Sequence, residues 1–170
     1  MDRRTTLGTL AAGAAAALFA VRPAAAQMLG SPDALRLQAL SGGTFAMQTS
    51  ELALRSATMP GVRQFAQFEV EEQQAVLQAM RISGIEVPAT VPMEASKLQM
   101  IEGLRAASGA EFDRMYVMGQ VAGHEELQRV YATIANGGAT AGERAIATLA
   151  VPSIRTHLGI LAGLQQQMRG

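Results

Sequence analysis

Along four long stretches of the chain, apolar residues return every three or four positions, and each stretch sets a polar residue into that apolar stripe. Such spacing puts the residues on one face of an amphipathic helix. The clearest case runs from Gly109 to Ala135, where Phe112, Tyr116, Gln120, His124, Leu127, Tyr131 and Ile134 share a face. Gln120 and His124 point the same way as their apolar neighbours. Ser31-Pro32 supplies a cap and a proline for the first turn, so a first helix is expected from Pro32 to about Thr58. Gly42-Gly43 should break or kink it. Its stripe is read as Leu40, Thr44, Met47, Glu51, Leu54 and Thr58, which sets Glu51 among apolar neighbours.

A second helix is expected to start after Met59-Pro60-Gly61 and to run to about Ser83, with Gly84 as its stop. Val62, Phe65, Glu69, Glu72, Val76 and Met80 step along one face, so this core face carries two carboxylates. Pro88 and Pro92 mark Ile85–Pro92 as an extended crossing segment. A shorter helix, Met93–Ala107, should turn Leu98, Ile101 and Leu104 inward. Asn136-Gly137-Gly138 is a turn. The last helix spans about Thr140 to Met168, with Ile146, Leu149 or Ala150, Ser153, His157, Leu161 and Leu164 on one face and Pro152 as a kink. No strand alternation occurs. The expected fold is all-α: a four-helix bundle with an extra short helix in the crossover between the second and third long helices.

Composition narrows the chemistry. Met1–Ala26 has Arg3 and Arg4, an apolar run from Leu7 to Val21, and a close on Ala24-Ala25-Ala26. This is the plan of a cleavable signal peptide, and the run is short of the about 20 apolar residues of a membrane span. The arginine pair followed by Leu7 leaves both twin-arginine and Sec export open. Residues 27–170 would then form one helical domain. Removing Asp2, Arg3, Arg4 and Arg22 from 14 basic and 14 acidic residues leaves 11 and 13, which gives no reason to expect nucleic acid. No membrane span is expected in the mature chain. A protein partner or homo-oligomer stays open. There is no cysteine, so disulfides, thiolate catalysis and cysteine-based metal sites are excluded. The ten methionines fit core filling better than copper binding. Ser50, Ser153 and Thr156 lie near Glu or His only along their own helices, which builds no hydrolase site.

The inward polar residues are Glu51, Glu69, Glu72, Gln120, His124 and His157, and they include both histidines of the chain. Burying a carboxylate costs several kcal/mol unless it is paired or bound to a metal. Two readings follow. The carboxylates and imidazoles close a buried hydrogen-bond network, or Glu and His from several helices hold one divalent ion. For the second, Glu51, Glu72, His124 and His157 are the candidate ligands, with Glu69, Gln73 and Gln120 around them. A complete di-iron site is disfavoured, because the residues three before His124 and His157 are Val121 and Ile154 rather than Glu.

The segments VRQFAQFEVEEQQ, EFDRMYVMGQVAGHEELQ and VPSIRTHLGILAGL, in this order and spacing, resemble the bacterial exported domain-of-unknown-function 4142 family. The resemblance covers roughly Thr44 to Leu164. It implies a ferritin-like fold and a periplasmic or envelope location, and no firmly assigned activity. Members are often labelled outer-membrane proteins. His124, His157 and Glu51 match the family pattern. Its second helix usually carries Asp-His where this chain has Glu72 and Gln73, so one familial histidine is missing. The combined expectation is an exported, non-enzymatic envelope stress or binding protein. The alternative is a metal-binding bundle that stores or oxidises one Fe, Mn, Zn or Cu ion.

Overall fold

The structure, a computed structural model, describes residues 30–137 and 140–169. The expected signal peptide lies outside the described residues. Five helices follow one another: α1 (Pro32–Ser56), α2 (Pro60–Ile82), α3 (Ala95–Ala106), α4 (Gly109–Gly137) and α5 (Ala141–Gln167). No strand occurs among the described residues. The all-α expectation holds, including the short extra helix between the second and third long ones.

The helix starts follow from local chemistry. Ser31 accepts from the Ala34 amide at 3.2 Å and Pro32 opens α1. Thr140 and Glu143 form a reciprocal capping box on α5. At α2 the capping residue Met59 has no side-chain oxygen to offer. Asp113, near the start of α4, does that work from a distance. Its carboxylate accepts from the Thr58 amide at 3.0 Å, the Met59 amide at 2.9 Å and the Thr58 hydroxyl. Free amides at a helix start need such acceptors. Gly84 (φ 69°), just after α2, and Gly109 (φ 60°), the first residue of α4, lie in the left-handed region that favours glycine.

The Asp113 contact joins the N-terminal part of α4 to the start of α2, so these two helices run in the same direction. Each of the pairs α1 with α2, α1 with α4 and α4 with α5 packs extensively; α2 and α5 pack more loosely. The link from α2 to α4 must therefore travel back along the bundle. It does so through an extended segment and α3, which docks by Ile101 and Leu104. Lys97 of α3 pairs with Glu94 and, at 2.8 Å, with Glu126 of α4. Leu98, expected inward, is 48% exposed, because α3 buries only a narrow edge.

Gly42-Gly43 does not break α1. The helix runs through both residues, because each glycine makes room for a neighbour. A Cβ on Gly42 would lie 2.6 Å from Leu127 Cδ2, and one on Gly43 would lie 2.5 Å from Gln73 Oε1. Leu40 is buried as expected, but beyond it the buried stripe of α1 runs through Gly42, Phe45, Ala46, Thr49, Ser50 and Ala53, one position out of phase with the expected one. Two large apolar clusters result, beside a small one of Leu40, Met80 and Ile85. One contains Phe65, Phe112, Tyr116 and Leu161; the other contains Leu35, Leu127, Tyr131 and Ile154. A polar layer lies between them.

Helix α5 is long and apolar enough, with a mean hydropathy of 1.4, to cross a membrane by length and composition alone. That qualifies the expectation that the mature chain has no such segment. Its inward residues, among them Ala147, Ile154, Leu161 and Leu164, are packed into the bundle.

Candidate metal centre

The polar layer is built from three helices. α2 contributes Glu69, Glu72 and Gln73, α4 contributes His124, and α5 contributes His157. Each sits at the inward phase of its helix because the apolar residues around it are anchored in the two clusters. Phe65, one turn before Glu69, closes one side. Its ring packs edge-on against His157 at 5.3 Å and lies 5.9 Å from His124.

At the centre three atoms form a triangle. His124 Nε2 lies 3.1 Å from Glu69 Oε2, His157 Nδ1 lies 3.1 Å from the same oxygen, and the two ring nitrogens are 3.1 Å apart. The side chains are buried: Glu69 is 0%, His124 2% and His157 11% exposed.

The outer contacts decide where the ring protons are. His124 Nδ1 lies 2.8 Å from the main-chain oxygen of Gln120. A carbonyl oxygen only accepts, so Nδ1 carries the hydrogen. His157 Nε2 lies 3.1 Å from Glu72 Oε2, which likewise calls for a hydrogen on Nε2. With both rings neutral, each inner nitrogen is a bare lone pair. Two imidazole lone pairs and a carboxylate oxygen then face one another in a dry interior, which is unfavourable unless something positive sits among them.

Without an ion, a proton can fill that need. Burial pushes the Glu69 carboxyl up, but hydrogen bonds and charge from His124 and His157 outweigh it and hold the group at about 2. Burial pulls His157 down, yet its hydrogen bond to Glu69 and the charges of Glu69 and Glu72 raise it above the ordinary imidazole value. Burial and the same two carboxylates raise Tyr131, so its hydroxyl stays protonated.

The family described as domain of unknown function DUF4142 matches residues 19–164. The chain belongs to this family. No curated protein and no solved structure gives a significant match to the chain. Membership in DUF4142 therefore brings no assigned chemistry, and the site has to be read from its own residues.

Of the residues expected at the centre of this DUF4142 chain, His124 and His157 meet there. Glu51 does not: it is exposed on the outer face of α1. The phase shift of α1 explains this, since Thr49 and Ser50 take the inward positions. Glu72 is displaced too, to the rim. Its side chain is 29% exposed and its second oxygen accepts from Ser153 at 2.6 Å. Glu69, expected only in the surroundings, is the central carboxylate.

Gln73 donates to Glu69 Oε1 at 2.8 Å and so orients the central carboxylate. The Gln120 side chain turns toward α1, donating to Thr49 Oγ1 at 2.8 Å and Ala46 O at 3.2 Å. Only its main-chain oxygen serves His124. Ser50 reaches past it to the Tyr116 hydroxyl at 2.8 Å. Among the described residues Glu69, His124 and His157 are the cluster with metal-ligand geometry. The sequence did signal Glu69: it lies one turn after Phe65 on a stripe read correctly.

Proposed function

We propose that this protein is an exported bundle that holds one divalent first-row transition-metal ion on Glu69 Oε2, His124 Nε2 and His157 Nδ1. The single observation behind the reading is the committed outer nitrogens. Both rings give an outer hydrogen to an outside acceptor, Gln120 O or Glu72 Oε2, and so turn their inner nitrogens toward a buried carboxylate. Metal-binding histidines are typically held this way by an outer acceptor. Donors 3.1 Å apart suit an ion bound at about 2.0–2.2 Å from imidazole nitrogen and carboxylate oxygen.

Two imidazoles and one carboxylate favour Zn²⁺, Fe²⁺ or Cu²⁺ over Mg²⁺ or Ca²⁺. Three protein ligands leave a further position for water. Burial of all three ligands supports holding an ion rather than turning over an organic substrate. The leader plan of Met1–Ala26 supports a periplasmic or envelope location.

The test is titration of tag-free, chelator-treated protein with Zn²⁺ and Co²⁺. About one equivalent should bind, and Co²⁺ should show ligand-field absorption. At 100 times Kd the melting transition should gain about 2.7 kcal/mol. Binding below about a tenth of an equivalent, with no change in melting, overturns the reading and leaves a proton-bridged structural network.

A further inference from the structure

We infer that Glu72 is the loading carboxylate of this centre: it draws the ion in through the seam between α2 and α5 and keeps His157 in the binding tautomer. The inference rests on the metal reading above.

Exposure falls in steps along one line of donors. Glu72 is 29% exposed, His157 11%, His124 2% and Glu69 0%. The only ligand in contact with solvent is thus the one that Glu72 touches. Phe65 covers the rings on one side. Between α2 and α5, by contrast, the packing is loose. A groove of about 200 Å³ runs there, lined by Glu72, Val76, Ile146, Leu149 and Ala150. Glu72 supplies the charged group of this lining. A carboxylate between apolar walls concentrates the attraction for a cation at that point.

Glu72 is held so that it attracts without ligating. Ser153 donates to Oε1 at 2.6 Å and His157 donates to Oε2 at 3.1 Å. Both oxygens are engaged away from the triangle. The carboxylate therefore acts through His157: while it accepts the Nε2 hydrogen, Nδ1 stays bare toward Glu69.

Charge and acceptor can be separated by substitution. Glu72→Gln keeps an oxygen that accepts from His157 and removes the charge. Glu72→Ala removes both. Glu71→Gln removes an exposed charge one position away, on a residue paired with Gln67 rather than with the site. Stopped-flow binding of Co²⁺ to full-length mature protein, at low and high salt, reads association and dissociation separately.

Glu72→Gln should slow association about tenfold at low salt and weaken its salt dependence, with dissociation little changed. Glu72→Ala should slow association equally and also release the ion faster, for a total affinity loss of about 10–100-fold or more. Glu71→Gln should leave both rates within about twofold. Wild-type association rates in Glu72→Gln, or equal slowing in Glu71→Gln, overturn the loading role while the metal site stands. If the wild-type protein binds no Co²⁺ and no Zn²⁺, the metal reading and this inference fall together.

Discussion

The Nδ1–H of His124 donates to the main-chain oxygen of Gln120, one turn earlier on α4, at 2.8 Å. That bond aims the ring's Nε2 at Glu69 Oε2, 3.1 Å away. A helix carbonyl is a fixed acceptor, so the orientation holds whatever occupies the triangle. The polar layer is in this sense set up before any ion arrives.

Glu69 and Glu51 give the sharpest contrast. Glu69→Gln should weaken binding of Zn²⁺ or Co²⁺ by about 100-fold or more, since it removes the buried anionic ligand. Glu51→Gln, on the exposed face of α1, should leave affinity within about twofold. Isothermal titration of the two variants decides between the central and the outer carboxylate.

The metal-free protein should have a pH profile set by the same group. Glu69 is held at about 2 against an ordinary 4.5. A lowered carboxyl stabilises the fold above pH 4.5, and that contribution, on the order of 3 kcal/mol, is lost as pH falls toward 2. His157 is raised, so its contribution is complete below its ordinary 6.5 and is lost as pH rises through the folded value. Stability should therefore be greatest between about pH 4.5 and 6.5. Chemical denaturation across pH should show both slopes in the wild type and a flatter acid limb in Glu69→Gln. Identical acid limbs would contradict the assignment.

Two glycines should answer the same substitution with opposite signs. Gly42→Ala drives a methyl into Leu127 Cδ2 at 2.6 Å, and Leu127 is itself buried, so about 1–3 kcal/mol should be lost. A Cβ on Gly159 meets nothing within 4 Å, so Gly159→Ala should gain about 0.5–1 kcal/mol from helix propensity. Denaturant midpoints of the two variants measure the difference directly.

Asp113→Ala removes the acceptor for the Thr58 and Met59 amides and the Thr58 hydroxyl. The loss should be about 2 kcal/mol, as for other helix-start acceptors at the upper end of their range. Amide exchange should accelerate first at Thr58, Met59 and the opening turn of α2. Unchanged protection there would mean that α2 starts without help from α4.

The sequence alone determined the helices, because periodicity, Ser31-Pro32, the Thr140 capping box and the glycines at 84 and 109 are local signals. All seven residues read as inward on α4, from Phe112 to Ile134, are buried, because large apolar side chains mark that stripe. On α1 beyond Leu40 the inward residues are mostly small or polar, Gly42, Ala46, Thr49, Ser50 and Ala53 among them, with Phe45 the one large apolar side chain. Reading the larger residues there shifted the phase by one and put Glu51 inside. Only tertiary packing decided that Glu69 is the central carboxylate and that Glu72 stands at the rim. Both lie on one stripe of α2, and the choice between them depends on the depth at which α2 meets His124 and His157. Depth is fixed by contacts between helices distant in sequence, and periodicity within one helix does not encode it.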